Sequence, residues 1–474
     1  MPPADTSAPR HRDRAILLSA TVLIVLLVLG RLWWLPAHAA LNVNEGWNAG
    51  QALRAWRDGP LYPDPDSLIA NNYPPLSFLI VGALGGLIGD AIVAGRILSL
   101  GAQLATGAAV YAIVARLAPG RRWASIGVLL FGAYSVTLLR NYVAMNDPQW
   151  LGHAAMAWSL ACLVPRTGAT PPIGRIMLAA LLMVAGGLIK HNLVALPVAA
   201  TLWLWLLDRR ACALWLGTVA LLAAAACGAL FAIWGPTVFV DVLAPARSYS
   251  VVRMLAKGGP LLLALLPTAL ACRPLFVAWR ADRRFVLPPM LLAIAVPIGI
   301  VQRSGSGVDV NAFFETVIAL AVAVPVACSL RSEPYRGAAL CALPALCLVP
   351  VAMARNIAEI TGRDAAVAHA APFIARLAAA RGPVACDDQA MCYWAGRQSA
   401  IDFFSVKQRL LHGRAKALDP ALAQGRFALI EMRGHNRGWQ ENRLIPAIRA
   451  YYVPVYRDGG DELLVSRGSV SPVH

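Results

Sequence analysis

Charge is what this 474-residue chain has least of. Only 14% of its residues are Asp, Glu, Lys or Arg, against about 25% in a soluble domain. With 58% hydrophobic residues and a mean hydropathy of +0.59, a soluble enzyme is excluded and a polytopic membrane protein remains. Acids are scarcer still, 25 against 42 Lys and Arg. The net +17 would suggest nucleic acid in a soluble chain; here the basic residues sit in short clusters between apolar runs, so they read as topology and no nucleic-acid partner is expected. The chain also lacks a Gly-rich phosphate loop followed by lysine, and any Cys/His/Asp cluster at ligand spacing. That removes P-loop chemistry and implies no cofactor, with a divalent metal left open. Internal repeats are missing too, and with them a signature of many transporters. Most of the nine cysteines stand alone in apolar runs as small buried hydrophobes. Cys386 and Cys392, six apart in the polar tail, could pair if that tail is extracytoplasmic.

What is present is a series of apolar runs. The first, about residues 15–36, follows Arg10, His11, Arg12 and Arg14 and ends on the aromatic pair Trp33-Trp34. It is long enough to cross a core of about 30 Å and reads as a retained signal-anchor. Basic clusters follow at Arg116/Arg121/Arg122, Arg166/Arg175, Arg209/Arg210, Arg280/Arg283/Arg284 and Arg331/Arg336. Placing them all in the cytoplasm demands two crossings between successive clusters. The runs near 123–139 and 149–164, 176–190 and 192–207, 211–234 and 260–279, and 286–302 and 312–330 satisfy this, with a last crossing near 337–353. Between the N-terminus and Arg116, the Leu76–Ile88 run is short, carries three glycines and follows Pro74-Pro75, so it reads as re-entrant or interfacial. The run at 97–114 then crosses.

The expected fold is an all-α membrane domain of about eleven transmembrane helices over residues 1–353, with interfacial helices in the first periplasmic loop. A small periplasmic α/β domain follows over 354–474. Its expected strands are Pro383–Cys386, Ala400–Phe403 and Phe427–Met432, with a helix near Arg443–Tyr451 and a hairpin through Val453–Arg457 and Glu462–Val465. The expected location is a bacterial inner membrane, with the N-terminus cytoplasmic.

This threading puts three acids, Glu45, Asp147 and Glu315, on one non-cytoplasmic face, where a carboxylate is expensive unless it binds or catalyses something. Asn44 is a plausible N-cap for a short helix opened by Glu45, with Trp47, Ala49, Leu53 and Trp56 toward the bilayer. Asn71-Asn72-Tyr73-Pro74-Pro75-Leu76 comes later in the same loop. Met145-Asn146-Asp147-Pro148-Gln149 follows the third crossing, and Asp-Pro there is also an ordinary turn. Lys190-His191-Asn192 forms a basic corner, either a snorkelling lysine or a phosphate grip. Gln302-Arg303 leads into a glycine-rich stretch ending at Asn311 and Glu315, four residues apart and so on one helical face. Arg247 and Arg253 are further candidates for phosphate contacts.

The first loop with its interfacial helix, the Tyr-Pro-Pro-Leu segment and the Asp-Pro stretch together resemble the C-type glycosyltransferases that use polyprenyl-phosphate sugars, such as the aminoarabinose transferases and protein O-mannosyltransferases. An Asp-Glu pair commonly heads the first loop in that family; this chain has Asn44-Glu45. The resemblance covers about residues 10–350 and implies a glycosyltransferase moving a hexosyl or pentosyl group from a polyprenyl-phosphate donor to a glycan, lipid or protein acceptor, with inversion. Glu45 would be the general base and Asp147 a second carboxylate. Lys190 and Arg303 would bind the leaving phosphate and Asn311 and Glu315 hold sugar hydroxyls, with Asn44, Tyr73, His191 and Arg247 as further substrate-binding residues. The alternative is a transporter or flippase of a lipid-linked or small polar substrate, with a non-catalytic scaffold as a third possibility.

Overall fold

The structure of the protein, a computed structural model, describes residues 11–57, 59–166, 170–244, 247–331, 334–434 and 443–469. Arg10 lies outside them. The chain begins with α1 (His11–Trp34), α2 (Asn44–Trp56), α3 (Leu76–Ile88), α4 (Ala91–Leu117), α5 (Arg121–Val136) and α6 (Gln149–Leu163). It continues through α7 (Ile173–Ile189), α8 (Ala195–Leu207), α9 (Arg209–Trp234), the short α10 (Thr237–Leu243), α11 (Val251–Ala271) and α12 (Leu275–Ala281). The last membrane elements are α13 (Leu287–Gln302), α14 (Phe314–Ser329), α15 (Pro334–Cys347) and the long α16 (Val349–Ala379).

Fewer helices are long enough to cross than the sequence suggested. Among the described residues five qualify by length and hydropathy: Ala15–Trp34, Ala91–Leu117, Arg209–Trp234, Arg283–Gln302 and Val310–Ser329. A sixth is added if α15 and α16, bent by 44° at Leu348, count as one. The remaining expected crossings fall on shorter helices. At 1.5 Å per residue, the 13–17 residues of α5 to α8 reach about 20–26 Å. They are short because irregular polar segments, such as that around Arg140–Pro148, sit inside the protein where other residues satisfy the backbone. The run expected at 260–279 is split by Pro274 into α11 and α12.

α14 runs through the centre of the bundle, buried along nearly its whole length by small Ala and Val side chains. Small residues allow close approach where no hydrophobic drive operates between helices. At the crossing with α5, a Cβ on Gly127 would come within 2.8 Å of the Ala321 carbonyl.

The charge pattern has a geometric counterpart. Arg116 and Arg175 both bond the Ala161 carbonyl, Arg284 bonds that of Arg166, and Arg283 that of Leu206. One end of the bundle therefore gathers these cations. Glu45, Asp147 and Glu315 lie at the opposite ends of the same helices. α3 does not leave that second end: Ser77, near its start, and Gly95 and Ser99, just beyond it in α4, line one small crevice with Asp147. The short Pro-led helix is, at 13 residues, among the apolar helices below the length of a crossing.

α16 carries the chain without interruption past residue 354 to the tail, whose order is β1 (Val384–Cys386), α17 (Gln389–Trp394), α18 (Phe403–Leu411), α19 (Leu418–Ala423), β2 (Leu429–Met432), α20 (Leu444–Tyr451), β3 (Tyr452–Asp458) and β4 (Asp461–Ser466). The sheet order is β1-β2-β4-β3, with β1 parallel to β2 and the rest antiparallel. Gly459 and Gly460, both at positive φ, close the β3–β4 hairpin as a two-residue turn requires. Cys386 and Cys392 are bonded, with Cα atoms 6.0 Å apart. The strand expected at Ala400–Phe403 does not form, because the Asp402 side chain accepts from the Ser405 amide and starts α18.

α2 departs from expectation too. Asn44 is its first helical residue rather than its cap, and Asn42 accepts the Asn44 amide. The helix is wedged between α3, α4 and α17, with Ala49 fully buried; only Trp56 of the four named residues is well exposed. Trp47 donates to Asp402 of the tail at 3.0 Å. The tightest point is Gly46, where an added Cβ would fall 1.9 Å from the Ala390 amide nitrogen. Backbone cannot yield as a side-chain tip does, so Gly46→Ala is expected to destabilise the protein by about 1–3 kcal/mol, read as a lowered melting temperature in detergent.

Beneath α17 lies a buried acidic group. Glu431 accepts the Asp388 amide, and Arg433 forks onto Asp387. Burial raises the Asp388 carboxyl to about 6, with Arg433 opposing and Asp387 and Glu45 adding to the rise. Because the folded state holds this proton more tightly than the unfolded chain, the contribution favours folding at low pH and is lost as pH rises through about 6. Asp388→Asn keeps an oxygen for the Ala390 amide that Asp388 now caps. It is expected to raise the melting temperature near pH 7.5 and to change nothing below about pH 4, in a thermal-unfolding series across pH.

Candidate functional site

The first loop, the segment before α6 and the corners after α7 and α13 converge at the acid-bearing end. Asp147 is held by its own turn: its amide donates to the Met145 carbonyl and its Oδ1 accepts the Gln149 amide at 2.8 Å. Lys190, 1% exposed at the end of α7, brings its Nζ to 3.5 Å from the same Oδ1. That ammonium also lies 4.8 Å from the centroid of the Tyr73 ring. The Oδ2 of Asp147 has no hydrogen-bond partner among the described residues, and Asp147 lines the crevice formed by Asn48, Ser77, Phe78, Gly95 and Ser99. The result is an oriented carboxylate with one free oxygen beside a buried ammonium.

The backbone leading to it is unusual. Ala144 adopts φ +50°, a left-handed conformation rare for a residue with a Cβ, and it is fully buried. Such strain persists only where surroundings over-determine it. Here they do. Asn146 donates its amide to Glu45 Oε1 at 3.0 Å and its Nδ2 to the Glu45 carbonyl, while Asn48 donates to the Asn146 carbonyl. The Asn146 side chain fills the space a Cβ on Gly95 would take, 1.8 Å from its Oδ1.

Glu45, the general base the sequence suggested, has both of its oxygens engaged. It is fully buried and clamped by Arg96, whose Nε and Nη2 reach its two oxygens at 2.8 and 2.7 Å. Leu41 donates to Oε2 and Asn146 to Oε1. A carboxylate offers about four lone-pair sites, and all four are filled. Through Asn146, Glu45 is also bonded to the segment that leads into Asp147. Arg96 completes its own shell on the carbonyls of Trp34, Leu35, Ala37 and Ala39.

The other expected residues divide. Gln149 and Asn311 form a reciprocal pair, Gln149 Nε2 to the Asn311 carbonyl and Asn311 Nδ2 to Gln149 Oε1. Gln302 donates to the Asn192 carbonyl, tying the two basic corners together. Arg303 bonds the Val308 carbonyl and lies 3.6 Å from Asp309, and its Nε has no partner. Glu315 does not join Asn311: it is buried and accepts the Leu196 amide at 2.8 Å, capping α8. Arg253 is engaged with the carbonyls of Ser304 and Ser248. His191 and Asn44 are exposed, and Arg247 faces a separate cavity near the tail. Arg96, Asn48 and Gln149 were not anticipated. An arginine inside an otherwise apolar helix was the available signal for Arg96. Among the described residues no three His, Cys, Asp or Glu side chains group as a metal site.

The sequence matches no family model and no curated protein at a significant level. Among solved structures the fold is similar to ArnT from Cupriavidus metallidurans, in its apo state and bound to undecaprenyl phosphate. Both have a TM-score of 0.63 at 15% identity, covering 96% of this chain and 98% of theirs. It is also similar to the archaeal oligosaccharyltransferase AglB from Archaeoglobus fulgidus, solved with an inhibitory peptide and a dolichol-phosphate. There the TM-score is 0.50 at 12% identity, covering 98% of this chain and 75% of that one.

Proposed function

We propose that this protein, which has the C-type glycosyltransferase fold, is an integral membrane glycosyltransferase that moves a sugar from a polyprenyl-phosphate donor to a hydroxyl of a glycan, lipid or protein acceptor. The observation that carries this reading is Asp147: an ordered carboxylate with a free oxygen, paired to a buried lysine, at one end of the membrane bundle. Full-length likeness to a structure that holds undecaprenyl phosphate supports a lipid-linked donor.

In the proposed reaction the acceptor oxygen attacks the anomeric carbon as its proton passes to Asp147 Oδ2. The bond from that carbon to the phosphate oxygen breaks, and polyprenyl phosphate departs with the electron pair. Attack opposite the leaving group inverts the anomeric centre. Lys190 and Arg303 offset the charge that grows on the phosphate. Tyr73 backs the ammonium, and the Gln149–Asn311 pair holds the loops that frame the sugar.

The acid-bearing end is proposed to face the periplasm. The basic clusters gather at the other end, and the Cys386–Cys392 disulfide of the tail suits an oxidising compartment. The protein reconstituted in lipid nanodiscs, given polyprenyl-phosphate sugars, is expected to release polyprenyl phosphate in step with acceptor glycosylation. Absence of release from every donor, with the protein folded, would sink the assignment.

A further inference from the structure

A cavity of about 560 Å³ opens at the cation-gathering end of the bundle, between the corner joining α8 to α9 and the stretch from α12 to the start of α13. Arg283 fixes its walls. Its Nη1 donates to the Leu206 carbonyl at 2.7 Å, and its own carbonyl accepts the Trp203 indole at 3.3 Å. Arg209, Arg280 and Arg283 line the cavity with a single acid, Asp208. That acid is already engaged: Oδ1 accepts the amides of Arg210 and Ala211, and Oδ2 the Thr170 hydroxyl. Among the described residues none of the three guanidinium groups forms an ion pair, and the Arg209 and Arg280 side chains form no hydrogen bond. Their neighbours differ, for Arg284 pairs with Asp282, and Arg116 and Arg175 turn onto the Ala161 carbonyl.

Two tryptophans complete the wall. Trp205 is 51% exposed and Trp279 42%, and neither indole N–H bonds a described residue. The Arg209 guanidinium lies 5.1 Å from the centroid of the Trp205 ring. One turn back along each helix, and so on the same faces, Leu202 and Phe276 are exposed too. Guanidinium groups without acids suit a phosphate, which they can meet bidentately. Half-exposed tryptophans beside apolar surface suit the headgroup level of a bilayer, and basic pockets between membrane helices suit anionic lipid. A soluble anion would leave the apolar part of this surface unused.

We propose that the cavity binds an anionic phospholipid, with Arg209, Arg280 and Arg283 on its phosphate, the two indole N–H groups on its ester oxygens, and its acyl chains along Leu202 and Phe276. The site lies at the other end of the bundle from Asp147, so its occupancy does not depend on sugar transfer. Binding is measured by titrating the full-length protein in uncharged detergent with phosphatidylglycerol, phosphatidylcholine and inorganic phosphate, and by counting bound lipid in native mass spectra. Phosphatidylglycerol is expected to bind about tenfold more tightly than phosphatidylcholine, whose ammonium offsets its phosphate, and at least about tenfold more tightly than inorganic phosphate. Arg209→Gln/Arg280→Gln, at two exposed positions, is expected to abolish the preference over phosphatidylcholine at unchanged melting temperature. If that pair folds poorly, Arg280→Gln alone is expected to cut the preference about threefold. Arg121→Gln/Arg122→Gln, the same loss of charge at the start of α5, should leave it intact. Equal affinity for phosphatidylcholine would overturn the anionic class, and equal affinity for inorganic phosphate the lipid. A preference that survives the Arg209 and Arg280 variants, or falls equally in the Arg121/Arg122 pair, would overturn the site.

Discussion

Asp147→Asn is expected to lower sugar transfer by about 10²–10⁴, the range of a lost general base, measured as polyprenyl phosphate released per folded molecule. The substitution keeps the shape of the side chain and an oxygen for the Gln149 amide, so the turn survives. It removes the charge opposite Lys190, which is 1% exposed. A buried ammonium without its partner costs about 3–5 kcal/mol, so lost stability alone could mimic lost chemistry. The double variant Asp147→Asn/Lys190→Met separates them. Removing both charges is expected to restore most of the melting temperature, since a buried ion pair replaced as a unit is often neutral. Turnover should stay at or below the level of the single variant, because Lys190 is itself proposed to offset the charge on the phosphate. If turnover recovers with stability, Asp147 is a structural partner of Lys190 and another group accepts the proton.

How far the sequence could be read follows from which signals are local. Asp147, Tyr73, Lys190 and Arg303 stand out because polar residues at the edge of apolar runs are costly, and the structure brings Tyr73, Lys190 and Asp147 into contact. The short α3 and its start after two prolines were legible in the sequence. The clamp on Glu45 was not, because its partner Arg96 lies 51 residues away on another helix. Asn311 and Glu315 misled through their spacing. A four-residue interval shares a face only in a continuous α-helix, and here a 3₁₀ turn over Val310–Phe313 precedes α14. The tighter turn rotates Asn311 toward Gln149 and leaves Glu315 on α8. Helix length was hidden for a related reason: hydropathy measures how apolar a run is, and not where a buried polar turn ends its helix.

Arg96→Met is expected to destabilise the protein by about 3–5 kcal/mol, the largest stability loss anticipated from a single side chain here. It strands a fully buried Glu45 carboxylate and takes a donor from the carbonyls of Trp34, Leu35, Ala37 and Ala39. Glu45→Gln tests the same pair from the other side and decides between two roles. A general base replaced by its amide loses turnover while the melting temperature holds. A positioning carboxylate loses stability and shifts the Asp147 turn, because Gln offers one acceptor oxygen where four hydrogen bonds now converge on two. The geometry favours the second outcome: a clear drop in melting temperature, with turnover per folded molecule reduced by no more than about tenfold. Glu45→Gln/Arg96→Met should recover part of the stability that Arg96→Met loses, a coupling that two independent sites would not show. Loss of turnover beyond about 10² in Glu45→Gln at an unchanged melting temperature would return the base to Glu45 and leave Asp147 as its helper.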